Sequence, residues 1–272
     1  MSETVERDER ALPMTGIDAR AAVSARARLA PGVRIGAFAV VGDDVELGEG
    51  CVLHPQAVVL GPARLGRENV LHSFCTVGGS PQDLKYGGEA TRLEIGDENV
   101  FRESVTVSRG TVQGGGVTRI GSHGLFMTCA HIAHDCIIGD YVIFANAATL
   151  AGHVIVEDHA TLGAFSPVHQ FCRIGRYAYV GASTVITQDV PPFSRIVSER
   201  ETRCYGVNTI GLERGGFPPD RIEAIERAYR LLLRSKLNTT QAIERMRATL
   251  NGSADVAELI AFIESAERGL TK

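Results

Sequence analysis

Residues 120–186 read IGSHGLFMTCAHIAHDCIIGDYVIFANAATLAGHVIVEDHATLGAFSPVHQFCRIGRYAYVGASTVI. An aliphatic or aromatic residue returns at every sixth position: Ile120, Phe126, Ile132, Ile138, Phe144, Leu150, Val156, Leu162, Val168, Ile174, Val180 and Ile186. Two places before the beat sits a small residue, as at Ala130, Ala148, Ala160, Ser166 and Ala178, and a glycine often follows it, as at Gly121, Gly139, Gly175 and Gly181. An amphipathic helix needs a period near 3.6, so these segments are not helices. Alternate residues of a short strand face one side, the aliphatic one filling an interior and the small one fitting where the chain turns. The glycine is expected to supply a backbone conformation that a Cβ opposes. Three hexads then close one triangular coil of about 18 residues, and coils stack about 4.8 Å apart through parallel β hydrogen bonds.

The same beat runs back to the start of the chain, through Ile17, Val23, Leu29, Ile35, Val41, Leu47, Leu53, Val59, Leu65, Leu71 and Val77. It resumes at Ile95, Phe101 and Val107, then slips by one residue before Ile120. The interruptions, Ser80–Thr91 and Arg109–Val117, are polar and glycine-rich, and read as loops projecting from a regular body, the places to seek substrate contacts. A flexible tail is expected over 1–15 and a β-helix over 16–192. At Asp189-Val190-Pro191-Pro192 the beat stops, because a double proline is hard to continue as a paired strand. A helical domain is expected over 193–272. Pro218-Pro219-Asp220 suits a helix start, with Ile222, Ile225, Tyr229, Leu232 and Leu233 at helical spacing; further helices are expected around Thr240–Leu250 and Ala254–Arg268.

Composition narrows the function classes. The net charge of −4 argues against non-specific nucleic-acid binding. No apolar run approaches the ~20 residues of an integral membrane segment, and the polar start MSETVERDER lacks the features of a secretory signal, so the expected location is cytoplasmic. Of the six cysteines, Cys51, Cys75, Cys136 and Cys172 fall in the small-residue slot, and no C-x-x-C pair occurs. Reduced core thiols are expected. Between Glu213 and Arg247 eight basic residues face five acidic ones, a solvated helix surface or a docking patch for an acidic carrier protein.

Four of the eight histidines, His131, His134, His153 and His169, lie within three coils. His134 to His153 is one coil plus one residue and His153 to His169 one coil less two, so the set climbs one edge and is expected to meet at one cleft. His54 and His72, one coil apart, read as corner residues. Asp135 follows His134 directly, the arrangement a general base needs to be oriented and stabilised when protonated. Gly152 could bring a bare N–H to a developing oxyanion. Three imidazoles could also hold a catalytic zinc, so a metal-dependent hydratase stands as an alternative, although Asp135, the polar loops and the basic helical domain are unneeded for so small a substrate.

Several motifs go beyond the beat: AHIAHDC (130–136), TLAGHV (149–154), VHQFC (168–172), QDLKYGGE (82–89), RESVTVSRGT (102–111) and QDVPP (188–192). Together they resemble the UDP-N-acetylglucosamine O-acyltransferases of lipid A biosynthesis. The resemblance implies a left-handed β-helix, since spacing sets no hand and general rules favour right-handed crossovers. It further implies a homotrimer with its active site between subunits, acyl carrier protein and a UDP-sugar as partners, and neither cofactor nor metal. On this sequence His134 would be the base, Asp135 its partner and Gly152 the oxyanion donor. Asp83 and Lys85 would hold the sugar, while His131, His153, His169 and Gln170 would contact substrate or acyl chain. Asn208 and Arg214 match the family's nucleotide contacts, and Ala182 the position that limits acyl length. The chain departs from the pattern at Ile210, where Glu is usual, and at Glu213 and Gly215, where basic residues are common, leaving Arg214 more of the diphosphate to bind. N-acylation of an amino-sugar nucleotide remains open, since one base serves both acceptors; a non-catalytic scaffold leaves His134-Asp135 unaccounted for.

Overall fold

The computed structural model describes residues 16–198 and 202–271; the tail expected over 1–15 lies outside the described residues. The chain winds as a left-handed parallel β-helix with three flat faces. The first face runs from Ala22–Val23 to Pro167–Val168, the second from Arg28–Leu29 to Arg173–Ile174, and the third from Arg34–Ile35 to Thr202–Val207. Registers such as Ala22↔Val40 and His131↔Thr149 step by one coil. The steps Thr76↔Thr106 and Thr106↔His131 are longer by the two interruptions, which the ladder absorbs with one register shift, between Val77 and Gly79.

The beat residues form the core. Phe101 and Phe126 stack at 4.8 Å and Phe144 meets Phe126 edge-on at 5.2 Å. Cys51, Cys75, Cys136 and Cys172 are buried and free, and burial raises the Cys75 and Cys136 thiols to about 12. Asn69 and Asn99 take the same slot and satisfy each other: Asn99 Nδ2 donates to Asn69 Oδ1 at 3.0 Å and to the Gly121 carbonyl at 2.9 Å.

The expected role of the glycines is corrected. The left-handed residue falls three places after the beat, where non-glycines such as Asp135 (φ 62°), His153 (φ 63°) and Tyr177 (φ 56°) occupy it. Glycine is needed just after the beat because the next coil lies so close: a Cβ on Gly36 would sit 2.6 Å from Pro55 N. The corner strain, of order 1 kcal/mol per residue, is offset by stacking between coils. His123, Tyr141, His159 and Tyr177 form one column with centroid separations of 4.5, 4.9 and 4.4 Å.

The ladder also continues past Pro191-Pro192. Val190 bridges Ile174, and Ser194–Ser198 pairs parallel to Tyr179–Val180 before a hairpin with Thr202–Val207 closes the third face. Four helices follow: α1 (Thr209–Arg214), α2 (Pro219–Arg234), α3 (Thr239–Thr249) and α4 (Ala254–Glu264). The expected Pro218-Pro219 start of α2 holds, and Asn238 with Gln241 forms a capping box on α3. α4 stops at Glu264, four residues short of the expected Arg268, because the chain turns at Ser265 back to the prism: Leu270 bridges Asp189. Arg176, on the prism, pairs with Glu258 at 2.6 Å, and Tyr229 Oη donates to the Pro192 carbonyl, fixing helices to coils. No helix of the described residues is long and apolar enough to cross a membrane.

Candidate active site

Both loops, 80–91 and 109–116, leave the prism at the edge between its first and second faces, and His134, Asp135, Gly152, His153 and Gln170 sit on the same edge. Arg109 ties the loops to the body. Its buried guanidinium donates to the carbonyls of Gly78 (2.7 Å) and Gly61 (2.9 Å), and to Ser80 Oγ and Tyr86 Oη at 3.3 Å.

Asp135 is the fixed point of the site. Its side chain is 1% exposed, its Oδ1 accepts the Thr111 N–H at 2.7 Å and its Oδ2 the Thr111 hydroxyl at 2.6 Å. Its own N–H donates to Thr118 Oγ1 at 2.8 Å. Gly114 lets the loop come this close, since a Cβ there would overlap the carboxylate. His134 Nδ1 lies 2.8 Å from Oδ2. A carboxylate only accepts, so in the neutral ring the proton sits on Nδ1 and the lone pair on Nε2. Beneath that ring lies Gly152, where a Cβ would come 2.8 Å from Nε2. Among the described residues the Gly152 N–H has no hydrogen-bond partner.

His153 Nε2 is 3.7 Å from Asp135 Oδ2, its ring 5.2 Å from that of His134 and stacked at 4.6 Å on Phe171. Burial holds the His153 pKa below the ordinary value, against the pull of Asp135. His131 lies beside the cleft on the first face, its Nδ1 2.7 Å from Thr106 Oγ1, and burial with the neighbouring His134 lowers its pKa. His169 is on the same edge but has other partners: its Nδ1 meets the Gln170 carbonyl at 3.1 Å and Arg268 Nη2 at 3.0 Å. The four histidines therefore share a region, but only His134 and His153 share a carboxylate. In the 80–91 loop Asp83 Oδ1 accepts the Lys85 N–H at 2.9 Å, and the Asp83 charge is felt at His153. Lys85 and Gln170 are exposed.

The remaining expected residues lie on other edges. Asn208 and Arg214 line a groove of about 1110 Å³ at the edge between the second and third faces, with Tyr141, His159, Tyr177, Tyr179 and Arg195. Asn208 is partly committed to structure: Nδ2 donates to the Tyr177 carbonyl at 3.0 Å and Oδ1 caps α1. A Cβ on Gly215 would fall 2.6 Å from Tyr177 Cε1, so the tyrosine ring packs where a side chain at this position would begin. Ala182 sits on the third edge, its N 2.5 Å from where a Cβ of Gly163 would be. Within one chain these three groups do not converge.

His134, Asp135 and His153 offer ligand atoms within 4.8 Å of one another. A cation there would have to displace donors that Asp135 already accepts, from Thr111 and His134. Sequence reasoning missed Thr111, Thr118 and Arg109, which sit in or beside loops without periodic signal. It also missed the aromatic column, which the one-coil spacing of Tyr141, His159 and Tyr177 spells out.

Comparison with known proteins places this geometry. The profile described as "Udp N-acetylglucosamine O-acyltransferase; Domain 2" matches residues 189–271, and that of bacterial transferase hexapeptide repeats matches 26–61. The acyl-[acyl-carrier-protein]--UDP-N-acetylglucosamine O-acyltransferase of Alkalilimnicola ehrlichii is 49% identical over 95% of this chain and 100% of its own length. That of Xylella fastidiosa is 45% identical, over 93% and 96%. The crystal structure of UDP-N-acetylglucosamine O-acyltransferase from Moraxella catarrhalis superposes with a TM-score of 0.91 at 38% identity, over 94% of this chain and 99% of that one. With full-length identity at this level, and the same coil and helices in the solved relative, the chain belongs to the UDP-N-acetylglucosamine O-acyltransferase family.

Proposed function

We propose that this chain transfers an (R)-3-hydroxyacyl group from acyl carrier protein to the 3-hydroxyl of UDP-N-acetylglucosamine, the first step of lipid A biosynthesis, in the cytoplasm. The observation that carries the reading is the bare Nε2 of His134, oriented by a buried carboxylate and lying over a glycine. In this mechanism Nε2 removes the proton from the sugar hydroxyl as its oxygen attacks the thioester carbonyl. The Gly152 N–H stabilises the oxyanion, the carrier's thiolate leaves, and the imidazolium, held by Asp135, returns the proton to the thiolate. His131, His153, His169, Gln170, Asp83 and Lys85 line the cleft as substrate contacts. The low pKa of His131 and His153 keeps them neutral hydrogen-bonding groups at neutral pH.

The site is completed between subunits of a homotrimer. From Arg28 to Arg119 the second face carries charges that alternate coil by coil, with Arg28–Glu46 at 2.6 Å and Glu94–Arg119 at 3.1 Å, a stretch suited to water, before Ile137 and Ile155 take the outward positions. Along the middle of the third face the non-interior residues are apolar, Val52, Val70, Val100, Leu125 and Ile143, the first three already buried within the chain, and the edge it shares with the first face exposes Phe38, Phe74 and Phe165. Turning that edge to a threefold axis sets the third face of one copy against the first face of the next. The His134 edge of one subunit then meets the Asn208 and Arg214 groove of its neighbour, where the nucleotide would lie. Of the eight basic residues between 213 and 247, Arg221 and Arg247 are held in ion pairs with Asp255 and Glu264. Of the other six, Arg214 lies in the nucleotide groove, and the remaining five have no ion-pair partner among the described residues and suit an acidic carrier protein.

The test is transfer by His134→Ala with acyl carrier protein donors and both hydroxyl and amine acceptors. Loss of O-transfer by 10²-fold or more is expected. Full transfer by the variant would remove the proposed base, and preference for the amine acceptor would move the reading to N-acylation.

A further inference from the structure

The Nδ1 atom of His169 receives two contacts that ask opposite things of it. The Gln170 carbonyl oxygen at 3.1 Å can only accept a hydrogen bond, and Arg268 Nη2 at 3.0 Å can only donate one. A neutral ring satisfies one of them. If it answers the carbonyl, Nδ1 carries the proton and Nε2 is an acceptor. If it answers the guanidinium, Nδ1 keeps its lone pair and Nε2–H becomes a donor facing outward.

The return of the chain to the prism decides between them. α4 ends at Glu264, and the Ser265 hydroxyl accepts a hydrogen bond from Arg173 Nη1 at 2.9 Å. The strap that follows is pinned at Asp189: its N–H donates to the Gly269 carbonyl at 3.0 Å, and its carbonyl accepts from Thr271 N at 2.9 Å. Leu270 packs against the core. Arg268 is thus carried to the active-site edge by a strap fixed on both sides of it. Among the described residues no carboxylate forms an ion pair with it; its charge is felt at Asp189 and at the Cys172 thiol, and its Nη2 is the donor placed on the imidazole.

We propose that Arg268 is a positioning residue that sets His169 in its Nε2–H tautomer, giving the cleft a neutral hydrogen-bond donor for an oxygen of the sugar nucleotide. This rests on the reading of His169 as a substrate contact. The logic mirrors that at His134, where a carboxylate on Nδ1 leaves Nε2 as the acceptor a base must be. Two imidazoles on one edge then carry opposite polarity, each fixed by the charge behind it.

The experiment uses the full chain labelled with ¹⁵N-histidine at a pH of about 8.5, where unperturbed imidazoles are neutral. The His169 signals are identified by their loss in His169→Gln. The expected spectrum has a bare Nδ1 and a protonated Nε2. Arg268→Met should move the proton toward Nδ1 and raise KM for UDP-N-acetylglucosamine by about tenfold with little change in kcat, the loss of one substrate hydrogen bond. Arg268→Lys, which keeps a cationic donor, should restore most of both. A wild-type ring protonated on Nδ1 overturns the proposal even if the variants do not fold, as does an Arg268→Met protein with unchanged tautomer and KM. His169→Gln with wild-type kinetics would instead refute the substrate-contact reading, since the spectrum judges Arg268 separately.

Discussion

Replacing Gly152 with alanine tests the active-site geometry with one methyl group. The added Cβ would lie 2.5 Å from His134 Cε1 and 2.8 Å from Nε2. Carbon atoms rest at about 3.5–4.0 Å from one another, so the ring must withdraw by about 1 Å. It cannot take Asp135 with it, because Thr111 holds both oxygens of that carboxylate and Thr118 holds its N–H. The displacement therefore falls on the Nδ1–Oδ2 hydrogen bond and on the position of Nε2. A misplacement of that size costs about 10²-fold in rate, equivalent to about 2.7 kcal/mol of activation free energy. Gly152 does not adopt a left-handed φ, so alanine brings little backbone strain and folding should be preserved. Alanine also retains the N–H proposed for the oxyanion, so a loss of rate reports the position of the base. Steady-state transfer with the urea midpoint measured in parallel is the assay. A variant with kcat within threefold of wild type would refute the close packing of His134 on Gly152, and a loss that tracks a fall in stability would refute the local explanation.

Other substitutions probe the surrounding contacts. Asp135→Asn puts an amide where three donors converge and should lower kcat by 10²- to 10⁴-fold with a smaller change in KM; wild-type kcat would show that the carboxylate is not needed. Ala182→Met should shift donor preference toward shorter acyl chains when a series of carrier-bound lengths is compared, and an unchanged profile would detach position 182 from the acyl groove. The pH dependence of stability has a defined sign. Burial lowers the pKa of His72, His131, His153 and His159 below 6.5, so the unfolded chain binds more protons in the interval beneath that value. Their contribution is complete above about pH 6.5 and is lost as pH falls through the lowered folded values. The urea midpoint should drop between pH 7.5 and 5.5, and His131→Gln with His153→Gln should flatten the drop; an equally steep fall in the double variant would assign it to other groups.

The fold was legible because a β-helix repeats one decision. Ile132, Ile138 and Phe144 each fill the interior at the same place in the hexad, and neighbours twelve or eighteen residues away repeat the message, so single exceptions do not obscure it. The end of the ladder was less legible. Pro191-Pro192 reads as a stop, yet proline only removes a donor, and Ser194–Ser198 resumes the third face once Pro192 has passed close against Gly175. The return of the chain after α4 was hidden for a related reason: the bridge between Leu270 and Asp189 joins residues far apart in sequence, and neither carries a periodic signal.

The site was legible only in part, and the limit has a physical cause. In a hexad nearly every residue serves the coil: one fills the core, one must be small, one must pass close to the next turn, and one takes the left-handed corner. Chemistry can be added only where the side chain leaves the prism, at faces and corners, or where an insertion suspends the pattern. The motif AHIAHDC was readable because His134 and Asp135 occupy a corner, which sequence spacing locates. Thr111 was not, because it reaches Asp135 from an insertion whose path no period describes. The two insertions leave the same edge as that corner, so the residues that break the repeat are delivered to the residues that exploit it. Arg109 shows the dependence most directly: it is the side chain that binds the root of one insertion to the root of the other, and its loss should loosen the Thr111 clamp on Asp135 before it disturbs any coil.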